Sequence, residues 1–165
     1  MDKSIMDPVA LPAHDQPVLV SGAGFAGLAT AWWLHRLGYR VVIVEAAGNL
    51  RRGGTPVDIE GETIDVLTRM GLIEAVLAKA LPPRRLEFKD ENDITLAGID
   101  AGEDPTTRTR YEVHRDDLLD IFATALPDDV EIVFGRSIEQ LDEGRRRVSD
   151  AQRWKLPKLC VGVRL

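Results

Sequence analysis

The chain has 165 residues, of which 44% are hydrophobic and 29% are charged, and its formal net charge is −6. These values fit one globular domain or a portion of a larger one, and the acidic balance argues against a nucleic-acid partner. No apolar run approaches the roughly 18 to 20 residues that span a bilayer. Residues 1–16 lack the basic start and apolar core of a secretory signal, so we expect a disordered leader and a cytoplasmic protein.

The segment 17–45 has the layout of a dinucleotide-binding βαβ unit. Its parts are, in order, an apolar strand at 18–20, a glycine turn at 22–27, a helical pattern at 28–37, a second apolar strand at 41–44 and the acid Glu45. The acid follows the turn by roughly 20 residues, the spacing at which it binds the adenosine ribose hydroxyls.

The three glycines of the turn have separate mechanical roles. Gly22 allows a sharp turn, Gly24 lets main-chain N–H groups approach a pyrophosphate, and Gly27 lets the helix pack closely on the strand. The N–H groups and the positive end of the helix dipole would offset the phosphate charge without a Lys or Arg. The pattern therefore predicts a dinucleotide site formed by Gly22, Gly24, Phe25, Ala26, Gly27 and Glu45.

The rest of the chain reads as an α/β fold with a parallel sheet and an inserted β-hairpin. The predicted elements are a loop at 46–56, a strand from 57, a helix at 62–70 resumed at 72–80, a hairpin at 84–99, and a βαβ run with a strand at 111–114, a helix at 116–126 and a strand at 130–134. Because a hairpin is foreign to a pure βαβ run, it is expected to belong to a second layer that covers a substrate.

The loop at 46–56 carries the run Arg51-Arg52-Gly53-Gly54 directly after the predicted ribose-binding acid. Paired glycines beside arginines can bring main-chain and guanidinium groups against a second part of the cofactor. A solvated basic turn explains the same residues equally well.

Four motifs together carry a family resemblance: SGAGFAGLATAWWL, VVIVE, RRGGTPVDIEG with a helix ending TRMGL, and YEVHRDDLLDIFATAL. Over residues 17–138 the chain resembles the N-terminal half of the group A FAD-dependent monooxygenases. These include para-hydroxybenzoate hydroxylase and, closer in motif, the tetracycline-inactivating and aromatic polyketide hydroxylases. The resemblance implies FAD as cofactor, NADPH or NADH as reductant, and hydroxylation of a small aromatic or polyketide-like substrate with O₂.

Carried over by position, the resemblance adds residues on the flavin side of the cofactor. Arg52 matches the family's arginine before the glycine pair, Asp58 falls in its GG-x-x-D-I element, and Arg115 matches the arginine of its R-x-D-L element. With Gly53 and Gly54 they complete the predicted cofactor site. One departure is Ala46, where the family usually has Arg. Without that cation, NADP is a less suitable ligand for the turn.

The later part of the chain departs further from the family pattern. The family's Asp-Gly and Gly-Asp motifs do not occur, and residues 144–165 hold seven Lys or Arg against one acid. We therefore expect a chain that is incomplete relative to the family, with a leader at 1–16, an FAD-binding domain at 17–143 and a basic tail at 144–165 outside the fold. A sheet without its later strands would also leave an open edge for self-association.

Two functions remain on the sequence alone. The first is the FAD-binding segment of a monooxygenase, whose substrate is a small molecule and which has no nucleic-acid or membrane partner. The second is a free-standing adenine-dinucleotide-binding module, or a pseudoenzyme, that acts through its basic tail. Since the resemblance places much of the active pocket in later segments, we name no catalytic residue, assign no activity to the chain alone and predict no metal site.

Overall fold

The computed structural model describes residues 14–82, 85–100, 109–138, 140–142, 147–149 and 159–162. In chain order its elements are β1 (His14–Ser21), α1 (Phe25–Arg36), β2 (Tyr39–Glu45), β3 (Val57–Glu60), α2 (Glu62–Met70), α3 (Ile73–Leu77), β4 (Arg85–Lys89), β5 (Thr95–Asp100), β6 (Arg110–Val113), α4 (Arg115–Thr124), β7 (Glu131–Phe134), β8 (Gln140–Asp142), β9 (Arg147–Ser149) and β10 (Leu159–Gly162).

The chain divides into two compact units. One consists of Met1–Arg52 with Phe122–Leu165, and the other is Gly53–Ile121. The first unit contains a parallel sheet with the strand order β10-β1-β2-β7. The chain passes from β1 to β2 through α1, which makes this segment a parallel βαβ crossover.

The two central strands of this sheet supply the core of the first unit. Residues 18–20 of β1 are almost fully buried, as expected for a strand inside a parallel sheet, whereas β2 alternates buried Val41 and Ile43 with half-buried Val42 and Val44. The helix α1 buries a face spaced by three and four residues. The buried side chains are Val18, Leu19, Val20, Val41 and Ile43 in the strands, and Leu28, Ala31 and Trp32 in the helix.

The second unit is organised around a short antiparallel ribbon of β3 and β6. Ile59 of β3 and Val113 of β6 are buried, as are Leu67 and Met70 on one face of α2. That helix ends at Gly71, which adopts a left-handed conformation at φ 73°. The predicted break at this glycine is confirmed, because α2 stops there and α3 begins at Ile73. A side chain at Gly71 would strain the left-handed backbone that ends the helix.

The predicted hairpin is present as β4 and β5, which pair antiparallel around a turn at residues 90–94. Its register places Leu86 opposite Ile99 and Phe88 opposite Ala97. These four side chains therefore share one face of the hairpin, and all are exposed in the structure. The predicted hairpin is thus confirmed, although its apolar face is not buried.

The predicted strand–helix–strand order of the last elements is confirmed, but the two strands do not pair in one parallel sheet. The strand β6 pairs antiparallel with β3 in the second unit, whereas β7 joins the parallel sheet beside β2. The elements β6, α4 and β7 therefore do not form a crossover within one sheet. Pattern alone cannot distinguish these cases, because a short half-apolar strand suits either pairing.

Parts of the predicted leader and tail also form strands. The strand β1 begins at His14, inside the predicted leader, and residues 1–13 lie outside the described residues. In the predicted basic tail, β9 pairs with β8, and β10 pairs parallel with β1. For these segments the expectation of a tail outside the fold does not hold. The run Leu159-Cys160-Val161 is apolar and partly β-branched, which suits a strand. The rest of 144–165 lies outside the described residues.

Candidate functional site

The glycine turn between β1 and α1 is built as the sequence predicts. Gly22 has φ 102°, a conformation that favours glycine, and its N–H donates to the Val44 carbonyl at 2.7 Å. A Cβ added to Gly27 would lie 1.9 Å from the carbonyl oxygen of Gly22. By contrast, a Cβ added to Gly24 would have no atom within 4 Å. The lack of a side chain at Gly27 therefore lets the turn and the helix pack closely, and the space beside Gly24 at the start of the helix is open.

That helix start offers main-chain donors. Gly24 is the N-cap residue of α1, and Phe25 and Ala26 are the first two residues of the helix. The first intrahelical donor to Gly24 is the N–H of Leu28, at 2.9 Å from the carbonyl oxygen. The N–H groups before it have no intrahelical acceptor, and the first turn contains no acid. Beside open space, these donors and the helix dipole suit an anionic group.

Glu45 stands at the end of β2 with its carboxylate held on both sides. The Oε2 atom accepts the N–H of Ala23 at 2.8 Å, and Oε1 accepts the N–H of Ala47 at 2.9 Å. The Ala47 carbonyl in turn accepts the N–H of Gly135 at 2.9 Å. Each carboxylate oxygen can accept a further hydrogen bond, so Glu45 can bind hydroxyl donors while it fixes the glycine turn.

The glycine pair that precedes β3 lies against the start of α4 in the second unit. The N–H of Gly53 donates to Oδ1 of Asp116 at 2.8 Å. A Cβ added to Gly54 would lie 3.0 Å from Cδ and 3.7 Å from Nε of Arg115. Both glycines have positive φ, 90° for Gly53 and 112° for Gly54. The structure thus brings together three of the predicted cofactor residues, Gly53, Gly54 and Arg115, while Arg52 is exposed in the loop of the first unit.

Asp58, predicted as a cofactor residue, carries an ion pair across the β3–β6 ribbon. Its Oδ2 accepts a hydrogen bond from the Arg110 guanidinium at 2.5 Å, and Oε2 of Glu60 lies 3.8 Å from Nε of the same arginine. The hydrogen bond from Arg110 holds the pKa of the Asp58 carboxyl below its usual range. The same bond raises the pKa of Arg110 further above its ordinary value. The carboxylate of Asp58 is therefore ionised and already has one cation as partner.

Three contributors to these arrangements were not predicted from the sequence. Ala23 supplies a main-chain N–H to Glu45, Asp116 anchors the glycine pair, and Arg110 holds Asp58. The two consecutive acids at the start of α4 indicated a helix N-terminus, where acids are favoured. They did not indicate a partner in a loop 63 residues away.

Two classes of site receive no support from the described part of the chain. No group of three or more His, Cys, Asp or Glu side chains is placed to hold a metal ion among these residues. None of the helices found there is long and apolar enough to cross a membrane.

Comparison with known proteins places these features in a family. Residues 15–153 match the FAD binding domain family. The FAD-dependent monooxygenase asL4 of Sarocladium schorii is 35% identical over 131 residues, which cover 76% of this chain and 30% of the relative. The phenazine 1,6-dicarboxylic acid hydroxylase PhzS of Lysobacter antibioticus is 36% identical over 111 residues, which cover 64% of this chain and 26% of that enzyme.

The fold is likewise shared with solved structures. The crystal structure of tetracycline destructase Tet(51) matches with a TM-score of 0.72 and 30% identity, covering 88% of this chain and 38% of that protein. The chain thus spans about a third of the length of the proteins it matches. By its sequence and its fold it belongs to the FAD binding domain family, as an FAD-binding domain of the flavin-dependent monooxygenases.

Proposed function

We propose that the chain binds FAD, with the ADP portion at the glycine turn of the first unit, and that the domain serves an NAD(P)H- and O₂-dependent hydroxylation of a small aromatic or polyketide-like molecule. The observation that carries the proposal is the open space at Gly24 beside the uncapped start of α1. Main-chain N–H groups there would hold the pyrophosphate, and the doubly anchored Glu45 would accept the ribose hydroxyls.

The flavin-side contacts stay a prediction drawn from the family resemblance. Two observations support them. Gly53 and Gly54 are exposed and have positive φ values, which favour glycine, and the Arg115 side chain passes over Gly54. Arg52 and Arg115 would each contribute a guanidinium to an anionic cofactor. Asp58 would have to bind through lone pairs that Arg110 does not use, since its carboxylate already accepts that guanidinium.

When bound, FAD supplies the electron transfer and the reaction with O₂. The residues of this chain bind and orient it, and we assign none of them a role in proton transfer. Names of the relatives include a phenazine carboxylic acid hydroxylase and a tetracycline destructase, which suits a fused-ring or aromatic substrate. We further propose a cytoplasmic protein with no nucleic-acid or membrane partner, able to self-associate through an open sheet edge.

The direct test is cofactor binding by the purified 165-residue chain. We expect flavin absorbance in the visible range, or quenching of flavin fluorescence on titration with FAD, and weaker binding of NAD and NADP. A chain that ignores FAD but binds NAD would overturn the proposal in favour of an adenine-dinucleotide module of another kind. A Glu45→Ala variant should weaken FAD binding, because it removes both the acceptor for the ribose hydroxyls and the anchor of the glycine turn.

A further inference from the structure

The glycine pair and the start of α4 are brought together by the β3–β6 ribbon. The two strands are antiparallel, and Val57, the first residue of β3, pairs with Val113, the last residue of β6. The segment that enters β3 and the helix that follows β6 therefore emerge at the same end of the ribbon. Gly53 and Gly54 lie on the first of these segments, and Arg115 and Asp116 open the helix.

Two consecutive helix residues contact two consecutive glycines. Arg115 passes its side chain over Gly54, so closely that a Cβ on that glycine would lie 3.0 Å from the Arg115 Cδ. Asp116 accepts the N–H of Gly53 at 2.8 Å. The glycines have φ of 90° and 112°, so the backbone there has no intrinsic preference that would hold it in this shape.

We infer that Asp116 is a positioning residue for the cofactor site. Its hydrogen bond holds Gly53, and with it Gly54, in the conformation that leaves room for the Arg115 side chain over Gly54. The inference rests on the proposed function, because it assigns Asp116 to the placement of residues predicted to bind FAD. A hydrogen bond to a carboxylate is stronger than one between neutral groups.

A plainer role for Asp116 is that of an acid in the first helical turn, which stabilises α4 through the helix dipole. Asp117 provides a matched control for that role. It lies in the same first turn, and its Oδ1 is 3.1 Å from the Nζ of Lys79, with no contact to Gly53 among the hydrogen bonds described. Removing the Asp117 carboxylate therefore takes away a similar charge and leaves the Gly53 anchor in place.

The experiment measures two quantities in Asp116→Ala, Asp116→Asn and Asp117→Ala: the amide exchange rate of Gly53 by NMR without cofactor, and the affinity for FAD by titration. In Asp116→Ala we expect Gly53 exchange to rise and FAD affinity to fall, each about fivefold, as for loss of one solvent-exposed hydrogen bond. Asp116→Asn should recover most of both losses, because its amide oxygen still accepts. Asp117→Ala should leave both close to the parent.

Several outcomes overturn the inference. One is an unchanged Gly53 exchange rate in Asp116→Ala, and another is faster exchange with FAD affinity equal to the parent. If Asp116→Ala and Asp117→Ala changed the Gly53 exchange rate and the FAD affinity equally, Asp116 would act only as an acid that stabilises the helix. A parent chain that does not bind FAD would instead overturn the proposed function, and the Gly53 exchange rate would still report whether the anchor exists.

Discussion

Replacing Gly27 with alanine tests the packing on which the dinucleotide turn depends. The added Cβ would lie 1.9 Å from the Gly22 carbonyl oxygen and 3.0 Å from the carbonyl carbon, whereas real Cβ atoms essentially never approach closer than 3.0 Å. Both contacted atoms belong to the main chain, so no side-chain rotation relieves the overlap. The helix α1 must therefore retreat from the turn, and its buried residues Leu28 and Ala31 must move with it.

The size of the effect follows from two opposed contributions. Forcing extra volume into a packed core costs up to about 3 kcal/mol, and the main-chain overlap here places the variant at that upper end. Alanine in a helix interior is favoured over glycine by about 1 kcal/mol, which offsets part of the loss. The net loss of unfolding free energy is about 2 kcal/mol, which for a chain of this size lowers Tm by roughly 4 to 8 °C.

Denaturant and thermal unfolding of the Gly27→Ala variant measure this loss directly. Gly48→Ala is a suitable control, because that loop glycine has no atom within 4 Å of an added Cβ and no positive φ. The control should be neutral or slightly stabilising, by up to about 1 kcal/mol. If Gly27→Ala behaved like the control, the close approach of turn and helix would be refuted, and with it the stated reason for the third glycine.

Three further substitutions probe the site. Gly24→Ala should keep the unfolding free energy within about 1 kcal/mol of the parent, but lower FAD affinity on the order of tenfold in a titration by obstructing the main-chain donors; undiminished affinity would contradict the phosphate site. Glu45→Gln should lose about 1 to 3 kcal/mol of stability to denaturant, because one of two main-chain donors loses its acceptor, and a parent-like midpoint would argue against the double anchor. Arg110→Gln should raise the pKa of Asp58 toward its ordinary value in an NMR titration. The interaction that lowers this pKa stabilises the fold at pH values above the ordinary pKa of the Asp58 carboxyl and is lost in acid, where the carboxyl is protonated. The variant should therefore be less stable than the parent at pH 7 and equal to it at low pH.

The dinucleotide turn could be predicted closely because its determinants are local. Gly22, Gly27 and Glu45 lie within one crossover, whose length and direction are set by strand and helix geometry. The spacing of the glycines and the acid in the sequence therefore largely determines where they lie relative to one another in the structure. The anchoring of Glu45 by the N–H of Ala23 was not visible, since a main-chain donor leaves no residue type to read.

Pairings between distant segments were harder to predict. The sequence pattern marked β6 as a strand but gave no direction for its partner, and the pairing with β3 became evident only from the structure. Likewise, the apolar run at Leu159–Gly162 follows a basic segment with no sustained period, which concealed its place beside β1. A strand of four residues carries little propensity signal, so its neighbours decide whether it forms.

The two groups of residues predicted to bind the cofactor thus depend on different kinds of interaction. Glu45 reaches Ala23 across 22 residues of a single crossover, while Asp116 reaches Gly53 across 63 residues and through the register of an antiparallel ribbon. A slip of one residue in that register would turn every side chain of a strand to the opposite face. It would also shift the start of α4 relative to the glycine pair by about 3.4 Å, more than the length of the Gly53 hydrogen bond. The buried Val113 resists such a slip, because its neighbours Glu112 and His114 would otherwise take its place in the core. The position of Arg115 is therefore set by the apolar pairing of β3 and β6 before any contact with a cofactor is made.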